Sequence, residues 1–232
     1  MKLRSLNTKN MDNIWEKQEG VLLHSIPYLG NHRILKIFTP DAGLLTLMAK
    51  HVRAKNAAHT NPFCRAEWVY RKSHGDIYPI KDAALLDPLD ELRKDYQTLI
   101  AAGSIANDLL RSQLSHRPAK ILYELLIASL KHLPRNPLAI AQSFRLKLLQ
   151  FEGLVQLRPH CTLCDNPPVY LSRGECLCGH HASHGSLSFN REEWEQLMTL
   201  GLGRRFSEFD SIHLLGSFIE KTDRLFLERI HH

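Results

Sequence analysis

The 232-residue chain contains no run of about 18 consecutive apolar residues, which argues against a membrane-spanning helix. Met1 to Gln18 is polar and lacks the apolar stretch of a secretory signal. No G-x-x-x-x-G-K-[ST] segment occurs and the 12 glycines are dispersed, so the phosphate loop of nucleotide hydrolases is missing. We therefore expect a globular, cytoplasmic protein with reduced cysteines and no membrane partner, since 44% of its residues are hydrophobic and can fill a core.

Cysteine is scarce, and its placement is informative. Four of the five cysteines lie in residues 160–185. Cys161 and Cys164 form a C-x-x-C pair, and Cys178 with His181 repeats the same gap after 13 intervening residues. This spacing predicts one tetrahedral zinc ion. Three other residues of the loop are alternative ligands, so the fourth ligand stays open: Cys176, His180 and His184.

The ligand set favours a structural zinc over a catalytic one. A catalytic zinc keeps one position open for water, whereas this loop offers at least four protein ligands. The zinc deaminase pattern also requires a His or Cys followed two residues later by Glu, and no such pair occurs. Two disulfides are the alternative to zinc, and they would need an oxidising compartment.

The net charge of +6 is concentrated at one end of the chain. Residues 1–80 carry twelve Lys or Arg against six Asp or Glu, an excess equal to the whole net charge. The remaining residues carry 18 of each sign. Such a segment favours a polyanionic partner, nucleic acid above all, although a small surplus is also ordinary for a solvated surface.

The first third of the chain has the pattern of a small β-barrel. Five short segments rich in β-branched and aromatic residues are separated by turn residues: 20–25, 33–39, 44–50, 65–72 and 76–80. A five-stranded barrel of this size is typical of an oligonucleotide-binding (OB) fold. Cys64 is interpreted as a small residue of the barrel core.

Helical periodicity begins after Ala84 and predicts an α-helical domain. Apolar residues at three- and four-residue spacing form one face of the first predicted helix: Leu89, Leu92, Tyr96, Leu99 and Ile100. The apolar faces of this and the later predicted helices are interpreted as core. Asn190 with Glu193 predicts a capping box, and a last helix is expected from about Ser207. The predicted fold class is α+β, with domains 1–82 (including a polar extension, 1–18) and 83–232, and the zinc loop 160–185 inserted in the second.

In this order, the segments resemble the RecO family of bacterial DNA repair and recombination mediators. Glu19–Leu23, Arg33–Thr39 with Gly43–Leu45, Ala49–Arg53, and Phe144–Leu149 followed by Cys161 and Cys164 are similar to family segments. The resemblance covers about residues 19–185.

The chain departs from the family at three places, one of which is the polar extension of residues 1–18 that has no clear counterpart. His51 stands where the family usually has glycine. Cys178 and His181 align with positions where the family usually has a second C-x-x-C pair, which places Cys176 at a hydrophobic position.

The resemblance implies a non-enzymatic protein that binds single- and double-stranded DNA, anneals complementary strands and holds one structural zinc ion. It further implies action with RecR in loading RecA onto DNA coated by single-strand binding protein, whose acidic tail it contacts, near the bacterial nucleoid.

The basic first third also suggests individual nucleic-acid contacts. Candidate phosphate contacts are Arg33, Lys50, Arg53, Lys55, Arg71 and Lys72. Candidate base-stacking residues are Trp68, Tyr70 and Tyr78, for which a barrel-core position is the alternative. Two other functions stay open: an adaptor whose basic barrel binds an acidic protein tail, and a zinc-dependent hydrolase or deaminase for which Glu175 is the nearest base.

Overall fold

A computed structural model describes residues 15–51, 58–73 and 75–230. The α-carbon contacts divide the chain into two compact units. The barrel unit comprises the described residues up to Leu89 together with Gln113–Tyr123. The helical unit comprises Asp90–Ser112 and the described residues from Glu124 onward.

Five strands form a closed barrel in the order β1-β2-β3-β5-β4. The strands are β1 (Trp15–Tyr28), β2 (His32–Thr39), β3 (Gly43–Ala49), β4 (Arg65–Arg71) and β5 (Ile77–Asp87). All neighbours are antiparallel except β3 and β5, which pair in parallel at Thr46–Ile77. The α+β class and the OB-type barrel are thus confirmed.

The long strand β1 closes the barrel because it pairs with two neighbours. Its first half pairs with β4 and its second half pairs with β2, and the change occurs near Gly20 and Val21. A β-carbon on Gly20 would lie 2.6 Å from the Ile37 side chain and 2.9 Å from the Phe38 carbonyl oxygen. Only glycine allows the two strands to approach this closely.

Alternating side chains of the strands fill the barrel. On β4 the inward positions Ala66, Trp68 and Tyr70 are fully buried, while the residues between them are partly exposed. Cys64 is also buried in this core, as predicted. The segment Gln113–Tyr123 also belongs to the barrel unit and packs on the turn between β2 and β3. There His116 and Ala119 donate backbone hydrogen bonds of 2.9 Å to the carbonyls of Ala42 and Pro40.

The helical unit contains five helices and a small sheet. The helices are α1 (Tyr96–Ser112), α2 (Lys120–His132), α3 (Pro137–Phe151), α4 (Arg191–Leu202) and α5 (Gly216–Ile230), and the division between the two units falls within α2. Three short strands, β6 (Tyr170–Ser172), β7 (Glu175–Leu177) and β8 (Leu187–Ser188), form a sheet in the order β7-β6-β8. No helix in the described ranges combines the length and apolar character that crossing a bilayer requires.

Two helix predictions are wrong in detail. Strand β5 continues to Asp87, and a 3-10 turn at Asp90–Arg93 precedes α1. The side chains of Tyr96 and Ile100 are 72% and 50% exposed, because α1 turns its smaller residues Ala101 and Ala102 inward. Small inward side chains allow α1 to pack closely against its neighbours. The free energy gained by this close packing exceeds what burial of Tyr96 and Ile100 would give.

The last helix begins at Gly216, not near Ser207. A 3-10 turn at Phe206–Phe209 comes first. The Asn136 side-chain amide donates to the carbonyl oxygens of Phe209 (2.8 Å) and Ile212 (2.9 Å). These carbonyls are therefore satisfied by a distant side chain and need no helical N–H partner.

The predicted capping box at the start of α4 is confirmed. The Glu193 N–H donates to Asn190 Oδ1 at 2.9 Å, and the Asn190 N–H donates back to Glu193 Oε2 at 2.8 Å. The buried Glu193 carboxylate also accepts hydrogen bonds from Lys221 Nζ (2.5 Å) and Ser217 Oγ (2.6 Å). Burial alone would raise the pKa of Glu193, but Lys221, Ser217 and the Asn190 N–H outweigh it and lower the pKa.

Replacement of Glu193 by glutamine is expected to destabilise the helical unit by about 1–3 kcal/mol at pH 7. Because the pKa of Glu193 is lower in the folded state, its stabilisation is present above about pH 4.5 and is lost as pH falls through the folded pKa. Urea unfolding of the wild type and Glu193→Gln should therefore differ most at neutral pH and converge below about pH 4.5. Glu195→Gln, at an exposed position of the same helix, is the control, and an equal effect of both changes would contradict the prediction.

Candidate metal centre and nucleic-acid interface

Two similar turns carry the predicted zinc ligands. In the first, the Cys164 N–H donates to the Cys161 carbonyl at 3.3 Å, and in the second the His181 N–H donates to the Cys178 carbonyl at 3.1 Å. Strands β6 and β7 form a hairpin next to them, and Thr162 binds the Cys176 carbonyl through its N–H (2.9 Å) and its hydroxyl (3.1 Å). Main-chain hydrogen bonds thus hold the turns against the hairpin.

The structure brings Cys161, Cys164, Cys178 and His181 together. Their ligand atoms all lie within 4.8 Å of one another. The three sulfur atoms are 3.4–3.5 Å from His181 Nδ1, and the sulfurs of Cys164 and Cys178 are 3.7 Å apart. Zinc bonds of about 2.3 Å to sulfur and about 2.0 Å to nitrogen at tetrahedral angles place sulfur about 3.5 Å from nitrogen and about 3.8 Å from another sulfur. The donor set therefore fits a four-coordinate metal ion, and no fourth position is left for water.

The pKa values of two of the clustered thiols are shifted in opposite directions. Burial raises the pKa of Cys161, but N–H donors of Cys178 and Leu163 and the contact with His181 outweigh it, lowering the pKa to about 6. For Cys164 the Asn166 N–H lowers the pKa, but burial and the neighbouring sulfurs outweigh this and raise it. Three thiolates this close repel one another, and a divalent cation removes that penalty.

The alternative ligands lie outside the four-residue group. Cys176 is buried, with its sulfur 3.4 Å from the Gln156 carbonyl and accepting the Arg158 N–H at 3.3 Å. His180 and His184 are exposed. All five cysteines are free, so the disulfide alternative is wrong. Glu175, the candidate base of the enzyme alternative, is exposed on β7 and is not part of the group.

The candidate phosphate contacts fall into two groups on the barrel. Arg33 on β2 pairs with Ala49, and Lys50 is the next residue, directly after the end of β3. Arg33 Nε donates to Ser25 Oγ at 2.8 Å, and Lys50 is exposed. The second group comprises Arg71 and Lys72 at the end of β4. Arg53 and Lys55 lie outside the described residues.

The second group is partly engaged within the barrel. Lys72 Nζ lies 2.8 Å from Glu16 Oε1, and this ion pair is the main cause that lowers the pKa of Glu16. The Arg71 guanidinium carbon is 5.6 Å from the centre of the Trp15 ring. Both bases would have to exchange these contacts for phosphates, which makes Arg33 and Lys50 the stronger candidates.

The three aromatic residues proposed for base stacking lie in the barrel core. Trp68 and Tyr70 are fully buried, and Tyr78 is 7% exposed. Trp68 Nε1 donates to the Gly20 carbonyl at 3.2 Å, and the rings of Tyr70 and Tyr78 stack on each other at 5.8 Å. Burial therefore removes all three as stacking candidates, and the core alternative is correct.

Comparison with known proteins finds similarity to bacterial DNA repair proteins. A family profile described as recombination protein O N terminal matches residues 11–89, which include every barrel strand. The DNA repair protein RecO of Chlamydia pneumoniae is 29% identical over 201 residues, covering 83% of this chain and 79% of that protein. The RecO of Chlamydia trachomatis is 29% identical over 198 residues (82% and 81%), and that of Exiguobacterium sibiricum is 27% identical over 176 residues (72% and 70%).

Proposed function

We propose that this chain acts as a DNA repair protein of the RecO family, which binds single- and double-stranded DNA and anneals complementary strands during recombinational repair. The observation that carries the proposal is the match of the RecO N-terminal profile to the basic barrel. A basic surface binds phosphates without reading sequence, and annealing requires no nucleotide hydrolysis.

The proposal assigns separate roles to the two parts of the chain. The barrel domain, predicted as residues 1–82, contacts DNA, and the helical domain, predicted as 83–232, holds one structural zinc ion. Cys161, Cys164, Cys178 and His181 would bind the zinc, which would join the two turns without taking part in a reaction. The proposed site of action is the nucleoid in the bacterial cytoplasm.

The proposed protein partners follow from the family. RecR would act with this chain, the acidic tail of single-strand binding protein would recruit it, and RecA would be loaded as the result. The adaptor alternative uses the same basic barrel for an acidic protein tail, and the salt dependence of DNA binding separates the two functions.

Annealing of two complementary oligonucleotides by the purified chain, without ATP and across a salt series, tests the proposal. We expect acceleration that declines as salt rises. An adaptor would accelerate nothing and would bind an acidic peptide in preference to DNA even at low salt.

The double change Arg33→Gln and Lys50→Gln is expected to weaken binding to single-stranded DNA and to flatten its salt dependence. Loss of two phosphate contacts should reduce the slope of log affinity against log salt by about 1.4, since each contact contributes about 0.7. Fluorescence anisotropy with a labelled oligonucleotide measures the slope. Reversal of charge at Arg53 and Lys55 should act in the same direction.

The matched control for this prediction is Arg191→Gln, which removes a positive charge from a 93% exposed side chain on α4. We expect its slope to equal that of the wild type. A wild-type slope for the barrel variant would exclude Arg33 and Lys50 from the DNA contact.

A further inference from the structure

The described barrel unit contains eight aromatic residues, and only two of them are exposed. Phe38, Phe63, Trp68, Tyr70, Tyr78 and Tyr123 are all at most 7% exposed. Trp15 and Tyr28 are 39% and 44% exposed. Base stacking needs an accessible ring face, so only these two can supply it from this unit.

The two exposed rings differ in their surroundings. Two cations accompany the Trp15 ring, with the Arg71 guanidinium carbon 5.6 Å and the Lys81 Nζ 5.3 Å from its centre. These cation–π contacts already occupy the indole. The Tyr28 side chain has no ring contact, ion pair or hydrogen bond with any residue in the described ranges. Tyr28 is therefore the aromatic side chain of this unit that is available to a ligand.

Tyr28 lies at the tip of the β1–β2 hairpin. It pairs with His32 across the hairpin, and Leu29 and Gly30 make the turn with φ angles of 28° and 66°. Leu29 is 72% exposed and extends the apolar surface of the tip. In OB folds this loop and the β4–β5 loop flank the surface that binds oligonucleotides.

Positive and polar groups surround this tip. Lys50 follows the end of β3 beside His32, the partner of Tyr28, and it is not ion-paired with a described residue. Arg33 pairs with Pro27 and faces the other side of the hairpin. The His51 N–H donates to His32 Nδ1 at 3.1 Å, and their rings meet edge to face at 4.8 Å. The hairpin end thus combines an open aromatic face with a cation that has no acidic partner among the described residues, which is the chemistry that binds single-stranded nucleic acid.

We propose that Tyr28 stacks on a base of single-stranded DNA while Lys50 binds an adjoining phosphate. This inference rests on the proposed function and deepens it, since it identifies the residue that contacts a base. Stacking covers one face of the base and leaves its Watson–Crick edge free. A strand held in this way can pair with its complement while still bound, which is what annealing requires.

The test compares two probes with the same number of phosphates, an oligothymidylate and an abasic oligomer, against the full chain. The variant Tyr28→Ala should bind the oligothymidylate about 5- to 150-fold more weakly, the range expected for one lost stacking contact. Its affinity for the abasic oligomer should change less than twofold. Tyr28→Phe keeps the ring and should restore binding of the oligothymidylate.

Tyr96→Ala is the matched control, because Tyr96 is a 72% exposed tyrosine in the helical unit. It should bind both probes as the wild type does. Equal loss on both probes by Tyr28→Ala, or no loss on either, would overturn the stacking role while leaving the DNA function standing. Failure of the wild type to bind either probe at low salt would overturn the proposed function and the stacking role together.

Discussion

The variant Cys178→Ala is expected to lose its bound metal and the order of residues 160–185. Cys178 supplies one of four ligand atoms that lie within 4.8 Å of one another, and no other group in the described cluster replaces it. Zinc binding to such a site couples to local folding with an apparent free energy of about 10 kcal/mol or more. After dialysis against a weak chelator, we expect one zinc per chain in the wild type and almost none in the variant. Amide exchange across the loop should rise in parallel.

Three variants of neighbouring positions serve as controls for this prediction. Cys176→Ala removes a buried sulfur that lies outside the cluster, so the zinc content should stay at one. His180→Ala should also retain the metal. His181→Cys replaces one good ligand with another and should retain it, with four sulfurs around the ion. Loss of zinc from Cys176→Ala together with retention in Cys178→Ala would contradict the ligand set.

The variant Asp108→Ala should destabilise the helical unit by about 3–5 kcal/mol, because it leaves the Arg145 charge buried with one partner fewer. Arg145 donates from Nε to Asp108 Oδ2 at 2.8 Å and from Nη2 to Asp108 Oδ1 at 3.1 Å. Ser104 accepts another hydrogen bond at 3.2 Å, and Asp223 binds Nη1 at the edge of the site. Burial raises the pKa of Asp108, although Arg145 opposes this shift. The ionised form of Asp108 is therefore stabilised by its two hydrogen bonds from Arg145.

Amide exchange in α1 and α3 measures this effect locally, and protection there should fall by about two orders of magnitude or more. Asp223→Ala should cost much less, since the Asp223 side chain is 51% exposed and water can replace it. The double variant Asp108→Leu with Arg145→Met should be more stable than Asp108→Ala, because no charge is left buried. Equal effects of Asp108→Ala and Asp223→Ala would refute the buried-pair argument.

The barrel could be predicted from the sequence because its signals are local. Each strand alternates or is uniformly apolar over a few residues, and turn residues such as Gly30 and Gly43 separate the strands. The two turns that carry the predicted metal ligands were predictable for the same reason, since a two-residue gap between ligands is a property of a single turn. The capping box at Asn190 is local as well.

The errors arose where distant residues decide the outcome. Tyr96 and Ile100 fit a helical stripe, yet α1 turns Ala101 and Ala102 inward. The last helix begins late because Asn136, far away in the chain, binds carbonyls that a helix would otherwise use. Trp68 has the composition of a stacking residue, but its place on an inward position of β4 buries it.

The sequence by itself determined the strand and turn pattern, the spacing of the predicted metal ligands and the basic character of the first third, because each depends on neighbours within a few positions. Only the tertiary structure decided that His181 joins the three cysteines in place of Cys176 or His180, and that Tyr28 has an exposed ring without a partner among the described residues. Both choices depend on which side chains a fold turns inward and which it brings together. That information lies in packing between segments far apart in the chain, and local patterns do not contain it.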